Sequence, residues 1–297
     1  MFVDAIEKVS GFTRPVMFIT RKYGSELIEP GLGTLFFVND EGVAVTCKHV
    51  AEMILGADRV NAKYSEFKKE RAALNGSNPS AAKKGLKILE KKYGLGPDAP
   101  ANEKVNFRDV PSPFGSFTIH MHPNYDLAVI RFNDFKKLNY DAENIYLLGD
   151  GSKVKQGKSL CRLGFPFPEF GNFEYNKDTD DIEWTKGISR VPRFPIDGIV
   201  TRHIANEKGL IYGIEMSTPG LRGQSGGPLF DRDGVIYGMQ FATQHLYLGF
   251  DMENRQMIIN GKQKIINNQP FLHVGQCLHI NVIKDFLDSL NISYKTA

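Results

Sequence analysis

The sequence is short of cysteine, has a single tryptophan and has no long apolar run, and each shortage narrows the field. Three cysteines in 297 residues, Cys47, Cys161 and Cys277, allow one disulfide at most. A disulfide-stapled secreted scaffold is thereby excluded, and the count points to a reducing compartment. No stretch approaches the roughly 18 consecutive apolar residues that suggest a membrane span. Met1 to Ser10 carries Asp4 and Glu7 and lacks the apolar centre of a signal peptide. A cytoplasmic setting, with no membrane partner, is expected. There is no fixed-period repeat and no low-complexity tract.

The composition is that of a folded chain, 41% apolar and 24% charged, with a formal net charge of +3. That charge is unevenly placed. Between Asn61 and Lys92 nine basic residues face three acidic ones, so the segment carries +6 and the remainder −3. A solvated helical face accounts for such a run, and an acidic or activating partner is the sharper alternative. No aromatic ladder accompanies the charge, so nucleic acid is not an expected partner.

Short strand-like runs dominate the rest. They include Pro15 to Thr20, Gly33 to Val38, Gly42 to Thr46, Phe114 to His120 and Leu127 to Phe132. Ser159 to Phe165, Gly198 to Ile204, Leu210 to Met216 and Val235 to Phe241 follow in the second half. Ala62 to Tyr93 is rich in Ala, Leu, Lys and Glu and reads as two helices around a turn at residues 75–79. Gly96 to Pro113 reads as a linker. Asn281 is placed to cap a closing helix through Ile283, Phe286, Leu287 and Leu290.

One motif carries chemistry. Gly223-Gln224-Ser225-Gly226-Gly227-Pro228 packs three glycines and a proline around one hydroxyl. Glycines let a backbone approach a scissile carbonyl and aim N–H groups at one point. A neutral serine needs a base. Of seven histidines, His49 stands directly after an apolar strand, Val45-Thr46-Cys47-Lys48-His49-Val50. His120 and His122 share one strand face, but no Cys, Asp or Glu set completes a metal site beside them. A base needs an orienter, and Asp126 opens the buried run Leu127-Ala128-Val129-Ile130. An acidic residue there is costly unless hydrogen-bonded.

These motifs, in the order His, Asp, Ser, resemble the signatures of trypsin-like serine peptidases. Gly33 to Val38 with Thr46 and His49 is similar to their first-barrel signature, Tyr125 to Val129 to their aspartate signature, and Gly223 to Leu229 with Gly234 to Gly238 to their serine signature. Leu163-Gly164-Phe165-Pro166 resembles a turn of the bacterial high-temperature-requirement branch. The resemblance implies an all-β fold of two six-stranded antiparallel barrels, residues 11–134 and 144–290, with a helical insertion at 61–93 and a closing helix. It implies a serine endopeptidase with Ser225 as nucleophile, His49 as base and Asp126 as orienter, acting on a protein or peptide without metal or other cofactor. The Gly223 and Ser225 N–H groups would form the oxyanion hole. Ser217, Thr218, Pro219, Gly220 and Arg222 would wall the primary pocket, opposite Phe241, Ala242 and Thr243. With Pro219 where an aspartate would sit, an apolar or small side chain is expected there rather than Lys or Arg. Arg222 at the rim is the feature that would instead recruit acidic groups. Gln224 cannot pair with a chain-terminal amine, so local packing or a bound partner must hold the oxyanion hole.

Two other readings fit part of the sequence. An α/β-hydrolase would need a helix after the serine and the order Ser, Asp, His; Pro228 and the strand-like run from Val235 oppose it. A protease-like binding or scaffold module, inactive or active only when a partner triggers it, fits the same fold.

Overall fold

The computed structural model describes residues 1–76 and 78–297. The first half runs α1 (Val3–Ser10), β1 (Thr13–Lys22), β2 (Ile28–Phe37), β3 (Val43–Thr46), α2 (Lys48–Ala72), α3 (Pro79–Tyr93), β4 (Pro100–Phe107), β5 (Ser116–Met121) and β6 (Ala128–Asn133). Its strands form one antiparallel sheet in the order β4-β1-β2-β3-β6-β5. The second half runs β7 (Ser159–Gly164), β8 (Phe173–Asn176), β9 (Asp181–Trp184), β10 (Phe194–Ala205), β11 (Ile211–Met216), β12 (Pro228–Phe230), β13 (Ile236–Tyr247), β14 (Met252–Ile259), β15 (Lys262–Asn268), β16 (Phe271–His279) and α4 (Ile280–Ser289). Here β10-β11-β16-β13-β12-β7 close into a barrel, and β8–β9 and β14–β15 are separate hairpins.

The expectation of two closed barrels is corrected in the first half. Its six strands remain an open sheet, because β4 and β5 exchange no ladder. Aromatic side chains bridge the gap instead. Phe107 at the end of β4 meets Phe117 of β5 and Phe132 of β6, each with ring centroids 5.3 Å apart. Phe114 adds contacts to Phe107 and Phe132. The linker expected at Gly96 to Pro113 therefore contains a strand, β4, whose alternation is blurred by Asn102, Glu103 and Lys104.

A run of apolar residues in β1 is explained by cover on both faces. Val16 and Phe18 enter the main core, while Met17 and Ile19 pack with Phe170 and Ile182 around the β8–β9 hairpin. Two-sided burial erases the period-two alternation.

The first helix of the insertion begins earlier than Ala62: one helix of 25 residues, α2, carries His49 in its first turn and runs from Lys48 to Ala72. Its first turns bury Val50 and Ile54 in the main core. Its later turns bury Tyr64 and Phe67 with Leu95 and Ala101 in a core of their own. Of the turn expected at 75–79, Ser77 lies outside the described residues. Arg71 and Tyr64 reach Asp180 at 3.1 and 2.7 Å, and Lys92 pairs with Glu70. Part of the basic charge is thus spent inside the molecule, and the insertion is a packed element rather than a loosely solvated flap. No helix among the described residues is long and apolar enough to cross a membrane.

The closing helix is capped by His279, not by Asn281: the His279 ring accepts the Asn281 N–H at 3.2 Å. A neutral Nδ1 is required for that bond. Burial, with His203 and Lys284 nearby, holds the His279 pKa down to about 4.

Two outcomes follow from this packing. Phe67 is fully buried and ringed by Tyr23, Tyr64 and Tyr93 at 5.6 to 5.8 Å. Phe67→Ala should cost about 3–5 kcal/mol in a denaturant titration, and a loss below about 1 kcal/mol would show the insertion to be dispensable. The unfolded chain protonates His279 near pH 6.5, well before the folded one does. Its contribution is therefore complete above about pH 6.5 and declines as pH falls toward 4, by up to about 3 kcal/mol. His279→Asn keeps a capping acceptor, and its thermal midpoint should lose that part of the pH dependence.

Candidate active site

The site begins where β3 ends. Thr46 closes the strand and α2 starts at Lys48, so His49 sits in the first turn of a helix, exposed to solvent. The first N–H groups of a helix lack partners within it. Cys47 at the N-cap supplies no side-chain cap. Asp126, arriving from the turn before β6, does so instead. Its Oδ1 accepts the His49 backbone N–H at 3.0 Å, and its Oδ2 lies 2.7 Å from His49 Nδ1. One carboxylate therefore fixes both the main chain and the ring of the same histidine. Burial pushes the Asp126 carboxyl upward, but the hydrogen bonds from the His49 ring and backbone outweigh it and leave the pKa below its usual value.

The Asp126 turn is itself held. His122 Nδ1 accepts the N–H groups of Asn124 and Tyr125 at 3.1 and 3.0 Å. Its ring packs on Phe286 of α4, and Tyr125 stacks on Tyr212 of β11. His122 thus orders the turn, which accounts for it without a metal. Cys47, His49 and Asp126 do place a sulfur, a nitrogen and an oxygen within 4.8 Å of one another. Two of these atoms are already engaged within the protein, His49 Nδ1 with Asp126 and the Cys47 thiol with a main-chain carbonyl. That thiol faces the Gln240 carbonyl at 3.3 Å.

The serine loop is docked on the first sheet. Thr34 of β2 donates its N–H to Ser225 O at 2.9 Å and its hydroxyl to Gly223 O at 2.7 Å. Thr46 then donates its hydroxyl to Thr34 O at 2.7 Å. Gly226 has φ +87°, and a Cβ there would strike Thr34 O and Thr46 Oγ1. Only glycine permits that approach. Ser225, half-buried, is so fixed beside the strand that leads to His49. His49 meets Asp126 through both its backbone N–H and its ring, and no hydrogen bond joins that ring to Ser225 Oγ.

The Gly223 and Ser225 N–H groups have no protein acceptor among the described residues, whereas those of Gln224, Gly226 and Gly227 are all taken. Gln224, fully buried, braces the loop: its Oε1 accepts Leu221 N–H and its Nε2 donates to Phe194 O, both at 3.0 Å. Local packing therefore holds this segment.

Of the segments expected to wall a pocket, Ser217, Thr218, Pro219 and Gly220 are joined to Phe241, Ala242 and Thr243 by one contact: Thr243 donates its hydroxyl to Gly220 O at 2.8 Å. All seven are half-buried, and Arg222 is exposed. Two residues not singled out from the sequence sit behind them, Arg162 and Gln240. Each is a polar residue inside an apolar strand, and that oddity was the available signal.

No curated protein matches the chain in sequence. Solved structures of similar shape include the HtrA-type protease AlgW with a tripeptide, at 16% identity and a TM-score of 0.49. A serine-to-alanine variant of AlgW, also with a tripeptide, shows 15% identity and a TM-score of 0.50. Each alignment covers 98% of this chain and 63% of the other, so this chain spans under two thirds of their length. At that identity the likeness speaks for the fold. Residues 33–239, well over half of the chain, match the model of the trypsin-like peptidase domain. The chain belongs to the trypsin-like peptidase domain family.

Proposed function

We propose that the protein is a serine endopeptidase that cleaves peptide bonds through Ser225, His49 and Asp126. The observation that carries this reading is the double hold of Asp126 on His49, ring and main chain together, beside a serine loop pinned to the same sheet. Substrate would lie between the two halves, residues 11–134 and 144–290.

Ser225 Oγ attacks the scissile carbonyl as His49 Nε2 removes its proton. The Gly223 and Ser225 N–H groups, unclaimed by the protein, receive the oxyanion. Asp126 stays ionised, fixes the tautomer with the proton on Nδ1 and stabilises the imidazolium. His49 then protonates the leaving amine, and water hydrolyses the acyl-enzyme. The open contact between Ser225 and His49 closes on substrate binding, as apo catalytic hydrogen bonds commonly do. The exposed lysines of α3, Lys83, Lys84, Lys87 and Lys91, have no acidic partner among the described residues. They are where an acidic partner or substrate segment would be drawn. Three unpaired, buried cysteines support a reducing, cytoplasmic setting.

Ser225→Ala should abolish turnover of a peptide substrate; full activity in a clean preparation would overturn the assignment. Asp126→Asn keeps the shape but loses the tautomer control, and kcat should fall by about 10⁴-fold. Gly226→Ala must displace Thr34 or the serine loop, so kcat/KM should fall on the order of 100-fold or more. Wild-type kcat/KM in that variant would show that the loop does not depend on the dock.

A further inference from the structure

Arg162 is a charge without a counter-ion. It lies on β7, its side chain fully buried. Nη1 donates to Gln240 Oε1 at 2.6 Å, and Nη2 donates to Thr218 O at 2.8 Å and Pro219 O at 3.1 Å, with Thr218 Oγ1 at 2.6 Å. Nε has no partner. Every acceptor is neutral. Glu215, the one carboxylate residue buried among the described residues, is occupied by Arg202 and Thr201. Burial pulls the Arg162 pKa below its usual value; the neighbouring Cys277 and Cys161 thiols oppose that in part, and no carboxylate does. A buried, unpaired guanidinium is among the costliest things a core can hold.

Its position gives the cost a use. Thr218 and Pro219 belong to one wall of the primary pocket, and Gln240 leads into the other. The Arg162 bond forces the Gln240 carboxamide oxygen toward the guanidinium, which turns its Nε2 the opposite way. A Cβ at Gly220 would strike that Nε2, so the amide lies directly behind the glycine. Nε2 has two N–H groups, and one is taken, by Ala242 O. The second N–H of Nε2 has no protein acceptor among the described residues, and it sits behind Gly220 on an amide polarised by a positive charge.

We propose that Arg162, acting through Gln240, makes the primary pocket select an acidic side chain, glutamate or aspartate, at the residue before the scissile bond. This rests on the peptidase reading above and replaces the apolar preference expected from Pro219. Gln240 Nε2 donates to the substrate carboxylate, and Arg162 supplies the charge that this carboxylate neutralises. A neutral amide isostere can accept the hydrogen bond but brings no charge to neutralise. Lysine or arginine there would place two cations in one low-dielectric space.

The test is a set of peptides alike except at that residue, carrying Glu, Gln, Asp, Asn, Leu or Lys. The kcat/KM for Glu should exceed that for Gln by about 10-fold or more, as a charge-assisted hydrogen bond provides. In Arg162→Met, and in Gln240→Met should the first variant fail to fold, the Glu/Gln ratio should fall to about 1. Ratios taken within one variant cancel any general loss of active protein. The wild-type ratio should survive salt near 1 M and the Arg222→Gln change, because a buried charge is poorly screened. If Leu or Gln is cleaved as fast as Glu, the proposal is wrong while the peptidase reading stands. A ratio that vanishes with salt or with Arg222→Gln, yet persists in Arg162→Met or Gln240→Met, moves selectivity to the rim and also overturns it. If folded wild-type protein cleaves no member of the set, the peptidase reading falls and takes this proposal with it.

Discussion

The arrangement depends on one close approach, that of Gly226 to Thr34 and Thr46. A serine loop can be presented to a histidine on another sheet only if its backbone reaches that sheet, and a single Cβ would prevent it. With the approach allowed, Thr34 bonds Ser225 and Gly223 on one side and Thr46 secures Thr34 on the other. The strand that ends in Thr46 leads directly to His49. The same few ångströms of backbone thus set the position of the proposed nucleophile relative to the proposed base.

The second half supports this contact from behind. Gln240 bonds Gly226 and Gly227 through its backbone and Arg162 through its side chain. The serine loop and the strand leading into Phe241 therefore share a residue, so the placement of the serine is mechanically linked to the proposed pocket. On the opposite flank, α4 packs Phe286 on His122, which orders the turn carrying Asp126. The cap at His279 fixes where that helix begins. Residues far from the chemistry in sequence are in this way no more than two or three contacts from it.

Much of this was legible in the sequence, for identifiable reasons. Ser225, His49 and Asp126 stand in short motifs where a polar residue interrupts or closes an apolar run. β2, β3, β6 and β7 are bounded by turn residues, and their apolar runs are continuous enough to read. β4 is hard to read because Asn102, Glu103, Lys104 and Asn106 mask its alternation, and the open first sheet because ring packing between Phe107, Phe117 and Phe132 leaves no periodic trace. The length of α2 was missed because its buried face changes from one core to another partway along. The roles of Arg162 and Gln240 depend on contacts between strands 78 residues apart, which spacing cannot report. His279 was passed over as a cap because histidine is not among the preferred capping residues; here its buried, neutral ring does the work of an asparagine.

The central claim is that Ser225 is activated by a histidine that Asp126 holds in place. A fluorophosphonate probe, followed by peptide mapping, tests it without knowledge of the natural substrate. The account predicts one adduct, on Ser225, formed by the native chain and lost on unfolding and in His49→Ala. Labelling that is absent from the native chain, or that proceeds equally well without His49, would contradict it.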